Sequence, residues 1–144
     1  MKIFILIVLF SLPVFASKDC AKNFATLKTI VKDPEFSMKW VETTANDGKP
    51  LMVDISEKEN ELFLEFIKSK EGPWASGTAD ICQVENVLQA SISEKQIKLG
   101  EAAPWILKMS MKSGAVFKLE KLKPGVLKIS TFGWSGEFVP NSNK

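Results

Sequence analysis

The segment 51–68 has the sequence LMVDISEKENELFLEFIK, in which apolar and polar residues alternate with a period of two. Side chains two residues apart lie on the same face of an extended strand. One face of this segment is purely apolar, and its residues are Leu51, Val53 and Ile55, then Leu62, Leu64 and Phe66. Such alternation is typical of half-buried strands, so the segment predicts two successive β-strands that cover a core.

The same alternation continues on both sides of this segment. Upstream, Phe36, Met38 and Trp40 share one face of an extended stretch. The turn sequence Asn-Asp-Gly at 46–48 then joins this stretch to the next strand as a first β-hairpin. Further strands are predicted over residues 74–83, 86–93, 96–99, 105–111, 115–119 and 126–132. In the segment 105–111, the residues predicted to share one strand face are Trp105, Leu107, Met109 and Met111.

Strands that recur about every 8 to 12 residues, joined by tight turns, predict an antiparallel meander of about eight strands. Such a sheet hides its edges by closing into a small barrel or a flattened sandwich. Ahead of the strands, Cys20, Phe24 and Leu27 recur at helical spacing, and Asp33-Pro34 stops the pattern. We therefore expect a mainly β fold with one N-terminal α-helix over residues 20–32.

In strand number and size, this pattern resembles the barrels of the lipocalins and the fatty-acid-binding proteins. The resemblance implies a barrel architecture. It does not extend to the lipocalin Gly-x-Trp motif, because Met38 stands two residues before Trp40. The arginine that packs against that tryptophan in lipocalins has no counterpart, since the chain contains no arginine. No binding residue is transferred from these families.

The first 16 residues carry the pattern of a secretory signal peptide. Lys2 is followed by the apolar stretch 3–10, a break at 11–13 and the small residue Ala16. The apolar stretch is shorter than the roughly 20 residues that a membrane-spanning helix needs. We therefore expect cleavage after Ala16 and a single β-rich domain over 17–144 with a frayed tail at 141–144. The expected location is secreted or periplasmic, without a membrane span.

Cys20 and Cys82 are the two cysteines of the chain, and both follow the predicted cleavage position. An exported chain meets an oxidising compartment in which thiols pair. Neither cysteine belongs to a Cys-x-x-Cys motif, and the chain has no histidine that would activate a thiol. We predict a structural disulfide between Cys20 and Cys82.

The composition excludes several kinds of chemistry. All 19 basic residues are lysines, and the chain has no His, Arg or Tyr. This removes the usual catalytic triads, imidazole metal sites and arginine clamps for phosphate. Removal of residues 1–16 takes away Lys2 and leaves 18 lysines against 17 acidic residues, a balance that gives no strong field for nucleic acid or anionic lipid. We expect a non-enzymatic protein without a metal, a cofactor or a nucleic-acid partner.

Aromatic residues and methionines are the remaining candidates for a binding site. If the strand faces that carry them point into a barrel, they line an apolar interior in which indole N–H groups hold a polar atom of a guest. The predicted ligand-binding residues are Met38, Trp40, Trp74, Trp105, Met109, Phe117 and Trp134. A closed core filled by these side chains is the alternative.

Two of these tryptophans lie beside glycine and serine. Trp74 stands in the sequence GPWASG at 72–77, and Trp134 stands in GWSG at 133–136. For tryptophans in such positions at strand ends we expect a pocket rim or a contact surface for another protein, and packing over one end of a barrel is the alternative. The expected function is an exported binding protein for a small apolar or amphipathic ligand. A protein-interaction module or an enzyme inhibitor, which presents these tryptophans to a protein partner, is the alternative.

Overall fold

The computed structural model describes residues 19–31 and 36–141. The predicted signal peptide at 1–16, the end of the predicted helix at 32 and the tail residues 142–144 lie outside this range. The described residues contain ten strands and two helices. In chain order they are β1 (Asp19–Ala21), α1 (Phe24–Ile30), β2 (Lys39–Glu42), β3 (Leu51–Lys58), β4 (Glu61–Lys68), β5 (Gly72–Val84), β6 (Val87–Ser93), β7 (Lys98–Leu99), α2 (Trp105–Met111), β8 (Gly114–Lys123), β9 (Val126–Thr131) and β10 (Trp134–Pro140).

Eight of the described strands form a closed antiparallel barrel. The order around the ring is β5, β4, β3, β2, β10, β9, β8 and β6, and β6 pairs again with β5. Each ring strand pairs with the next ring strand along the chain, and β10 returns to β2 to close the ring. The predicted mainly β fold and its closure into a barrel are confirmed.

The long strand β5 holds two short strands outside the ring. Its first part pairs with β4 and its second part with β6. The short strand β7 pairs with Ala75 and Ser76 near the start of β5. Near the end of β5, β1 pairs with residues 81–83 and places Cys20 directly opposite Cys82. These two cysteines form the predicted disulfide.

The interior is filled by the face that the alternation predicts to be apolar. Phe66 of β4 and Phe117 of β8 reach across the interior and stack with their ring centroids 4.4 Å apart. The residues paired beside them are small, since Ala75 is opposite Phe66 and Ala90 is opposite Phe117. Alternation of large and small side chains on neighbouring strands lets the rings interdigitate and packs the core densely.

Gly77 lies in the middle of β5, where the backbone after β6 approaches it closely. A Cβ atom at this position would lie 2.7 Å from the backbone oxygen of Gln96 and 2.5 Å from Cγ2 of Ile92. We therefore expect Gly77→Ala to lower the free energy of unfolding by about 2 kcal/mol, because backbone has to shift. Chemical denaturation measures this, with Ser76→Ala as a control expected to stay within about 0.5 kcal/mol. Equal midpoints for the two variants would contradict the close approach.

The N-terminal helix is shorter than the predicted 20–32. It begins at Phe24 because the side-chain oxygen of Asn23 accepts a hydrogen bond from the N–H of Thr26, 2.9 Å away. The carboxylate of Glu57 accepts a further hydrogen bond from the N–H of Phe24, at 2.8 Å. Cys20 lies in β1 and not in the helix, because its disulfide partner is its neighbour in the sheet.

Residues 105–111 form the helix α2, so the predicted strand over this segment is wrong. The carbonyl oxygen of Pro104 accepts hydrogen bonds from the N–H groups of Leu107 and Lys108, each at 3.0 Å. Leucine, methionine and lysine have high helix propensity, and proline is tolerated at a helix start. In a short run that is mostly apolar, the spacing of apolar residues is compatible with a strand and with a helix. Packing against the barrel favours the helix here.

The helical conformation moves two predicted binding residues to the outside of the barrel. Leu107 and Met111 are four residues apart, share one side of α2 and are buried. Trp105 and Met109 are exposed. The prediction that Trp105 and Met109 face the interior together with Leu107 and Met111 is therefore wrong, because the period is 3.6 and not two.

The strand β10 is not among the predicted elements. It carries Trp134, Gly136 and Phe138 on its inward side, and Gly136 is buried. A Cβ atom on Gly136 would lie 3.2 Å from both neighbouring aromatic rings, so glycine leaves room for them. Glycine within a strand weakens the apolar alternation, and the sequence pattern therefore does not indicate this strand.

Candidate functional site

The strand directions bring the predicted binding residues to opposite ends of the barrel. Trp40 lies near the start of β2, at the end of the barrel that also holds the last residues of β5 and the helix α1. Trp74 and Trp134 lie at the starts of β5 and β10, which meet at the other end, where α2 packs on β8. We call these the α1 end and the α2 end.

The α1 end contains a cavity of about 150 Å³, here called the mouth cavity. Its apolar lining residues are Val31, Phe36, Trp40, Leu88, Leu119, Val126 and Leu127. The indole N–H of Trp40 donates a hydrogen bond to the carbonyl oxygen of Ser37, 2.7 Å away. This N–H therefore already has a partner within the protein, and Trp40 offers a guest only its apolar surface. The half-buried Met38 packs against the core and does not line the mouth cavity.

The two glycine-flanked tryptophans pack against each other at the α2 end. The rings of Trp74 and Trp134 meet edge to face with centroids 5.4 Å apart. Trp134 also contacts Phe138, at 6.2 Å between centroids. Trp74 is buried and Trp134 is half-buried. Their positions are those of core residues that close this end of the barrel.

The larger recess of the α2 end lies outside the barrel. It is a groove of about 400 Å³ between α2 and the outer face of β8 and β9, here called the α2 groove. Leu107 and Met111 form one wall, and Val116 and Phe132 lie on the other side. A second recess of about 130 Å³ adjoins it, between Ile106 and Phe132. The volume of the α2 groove is within the range of small-ligand sites.

Five large apolar side chains of α2, β8 and the turn after β9 have exposed fractions between 49 and 74%. They form what we call the apolar patch, and they are Trp105, Ile106, Met109, Val116 and Phe132. Five of the seven residues of α2 are apolar, but the barrel buries only Leu107 and Met111. A helix with so large a share of apolar residues is usually buried more completely. The uncovered side of α2 therefore has the character of a contact surface.

The charged residues of α2, of its C-cap and of the groove lining carry one sign. Lys108 lies within α2, Lys112 follows it directly and Lys118 lines the α2 groove. None of the residues that form α2 or line the α2 groove is acidic. These residues therefore contribute only positive charge, although Glu101 lies four residues before Trp105 and the whole chain is close to neutral.

Two carboxylates of the described residues make contacts that support the structure. Glu57 holds the start of α1. Asp47 lies in the loop between β2 and β3, where the N–H of Lys49 donates to its carboxylate at 2.9 Å and the ammonium of Lys68 lies 3.0 Å away. These contacts hold the pKa of Asp47 below its ordinary value, the hydrogen bond from Lys49 being the main cause. No group of three Cys, Asp or Glu side chains that could bind a metal ion is found within residues 19–31 and 36–141.

The predicted binding residues do not form one site. Of the seven, Trp40 lines the mouth cavity, Phe117 lies in the core, and Trp105 and Met109 belong to the apolar patch. The sequence reasoning missed Ile106, Val116 and Phe132. The sequence carries one signal for Phe132. It directly precedes Gly133 in a tight turn, and a large aromatic residue in a turn points away from the core.

Comparison with known proteins gives no match: no family model, no curated protein and no solved structure is similar to this chain. In the part of the chain that the structure describes, no helix has the length and the apolar character required to cross a bilayer. The function is therefore inferred from the geometry and the chemistry of the two ends of the barrel.

Proposed function

We propose that this chain is an exported, non-enzymatic binding protein that recognises an apolar or amphipathic partner with the outer surface of its α2 end. The observation that supports this most directly is the apolar patch of five large exposed side chains around the α2 groove. Exposed apolar residues that are contiguous and border a recess are typical of binding surfaces. The disulfide is compatible with export, because such bonds persist in oxidising compartments.

The interior is less favourable for a ligand than the outer surface. The stacked side chains of Phe66 and Phe117 occupy the interior between β4 and β8, which are not neighbours in the barrel. A guest at that place would have to displace both rings from a packed core, which costs several kcal/mol. Binding at the outer surface requires no such rearrangement.

A second candidate function is the binding of a small apolar molecule in the mouth cavity. The apolar lining of this cavity, which includes Phe36 and Trp40, favours it. Its volume of about 150 Å³ accommodates only a small group or one end of a longer ligand.

An apolar fluorescent probe such as Nile red distinguishes the two candidates. We expect the probe to bind the wild-type protein and Phe132→Ser to weaken binding about tenfold, because the ring provides apolar contact area at the α2 groove. Val126→Phe, which narrows the mouth cavity, is expected to leave the affinity unchanged. Leu122→Ser, which removes an exposed apolar residue that lines neither the α2 groove nor the mouth cavity, is the control.

The opposite pattern supports the mouth cavity as the binding site. In that case Val126→Phe loses its affinity for the probe, and Phe132→Ser binds the probe like wild type. A wild-type protein that binds no probe contradicts both candidates. Urea denaturation of each variant shows whether a lost affinity reflects lost structure.

A further inference from the structure

We propose that α2 and the turn between β9 and β10 dock on the surface of an anionic lipid bilayer. This inference rests on the proposed function, since it names the partner of the apolar patch. Within that patch, Trp105, Ile106 and Met109 come from α2, and Phe132 comes from the turn. The side chains enter the interfacial layer of the bilayer while the barrel stays in water.

The first argument is the exposure of the side chains. Trp105 and Met109 are 70 and 62% exposed, and neither lines the α2 groove or the recess beside it. Phe132 is 74% exposed and precedes Gly133, whose φ of +68° forms the turn. Side chains that border a recess suit a partner with a protruding group. Side chains that project beyond the recess suit a partner that is soft and continuous, as a bilayer is.

The second argument is the combination of residue types. Tryptophan prefers the membrane interface, where its ring is in an apolar layer and its N–H reaches water or headgroups. Interfacial helices combine such apolar side chains with lysines. α2 contains Trp105 and Lys108, and Lys112 follows it directly.

The third argument is charge complementarity. Lys108 lies within α2, Lys112 follows it and Lys118 lines the α2 groove, whereas no residue of α2 or of the groove lining is acidic. Lysine side chains extend along an apolar surface and place the ammonium among headgroups. An anionic surface attracts each such lysine, so the patch favours anionic over zwitterionic lipid.

Vesicle binding with tryptophan fluorescence tests the proposal directly. Trp40 and Trp74 are buried and Trp134 is half-buried, so Trp105 is the tryptophan that responds most to a bilayer. With vesicles of phosphatidylcholine and phosphatidylglycerol, we expect its emission to shift to shorter wavelength and brominated acyl chains to quench it. Vesicles of phosphatidylcholine alone are expected to bind markedly less protein, and added salt is expected to weaken binding to the anionic vesicles.

Variants locate the contact and keep the reporter Trp105. Phe132→Ser and Met109→Ser are each expected to weaken vesicle binding about tenfold, and Lys118→Gln about fivefold. The matched controls are Leu122→Ser and Lys123→Gln, at the far end of β8, which are expected to bind like wild type. Wild type and all variants are purified after export with the same N-terminus. Any contribution of the residues before Asp19 to vesicle binding is therefore the same in all of them.

Three results overturn the proposal: no binding to anionic vesicles, equal binding to neutral ones, or binding that the patch variants leave unchanged. If vesicles fail to bind while Nile red still depends on Phe132, the apolar patch remains a binding surface and its partner is not a bilayer. If Nile red does not depend on Phe132 either, the proposed function fails as well.

Discussion

Phe117→Ala is expected to lower the free energy of unfolding by about 4 kcal/mol, the typical loss for a large aromatic residue in a packed core. Phe117 is 2% exposed and stacks on Phe66 at 4.4 Å between ring centroids. Its removal leaves a cavity whose walls belong to the closed barrel, and the paired strands limit how far the barrel can collapse around it. Urea denaturation with a fixed m-value measures the loss.

The neighbouring residue provides a matched control for this variant. Val116 precedes Phe117 on the same strand and points to the outside, where it is 49% exposed. Val116→Thr keeps the β-branched shape and is expected to change stability by less than about 0.5 kcal/mol. A loss below about 1.5 kcal/mol for Phe117→Ala would show that this ring borders free space, as a hollow ligand-binding barrel requires.

Removal of the disulfide by Cys20→Ala with Cys82→Ala is expected to cost up to about 4 kcal/mol. The bond closes a loop with a sequence separation of 62 residues, so its loss greatly increases the entropy of the unfolded chain. In a domain of this size, the melting temperature is expected to fall by roughly 15 °C. Calorimetry of the double variant, compared with wild type, measures the change.

A reduced wild-type protein provides the control for side effects of the substitutions. Because the same cross-link is lost, reduction with dithiothreitol is expected to lower the melting temperature as much as the double substitution does. A double variant that melts within a few degrees of the oxidised wild type would contradict a stabilising role for the bond.

The strands that cover the core on one face were predictable from the sequence. In β4, Leu62, Leu64 and Phe66 alternate with residues that remain at least partly exposed. A shift of one residue would turn all three apolar side chains into water, so the pattern itself fixes both the strand and its orientation. The position of the disulfide followed from the count of two cysteines and the expected compartment.

The helix α2 and the strand β10 were not predictable in the same way. The sequence Trp-Ile-Leu-Lys-Met-Ser-Met has no periodicity that excludes a strand, and only its packing on the barrel decides for a helix. In β10, Gly136 replaces a large apolar residue because the rings of Trp134 and Phe138 occupy the space beside it. The conformation of both segments depends on packing against residues that are distant in the sequence, and a local sequence pattern does not reveal such packing.

The apolar patch was also beyond prediction, because its members come from three separate parts of the chain. Trp105, Ile106 and Met109 belong to one helix, Val116 to the next strand and Phe132 to a later turn. Their proximity depends on how α2 lies against β8 and β9. A strand over 105–111 would place Trp105 and Met109 on the same inward face as Leu107 and Met111. Because the segment is a helix, Trp105 and Met109 lie on the outside.

The pairing of β10 with β2 has a consequence for how the molecule assembles. Phe138 pairs with Glu42 across almost the whole described chain, whereas the other ring contacts join successive ring strands. Hairpins can therefore form one after another while the polypeptide emerges, but the ring stays open until its final strand is available. During that interval β2 offers an unpaired edge to other chains, and the greatest risk of intermolecular strand association falls just before completion.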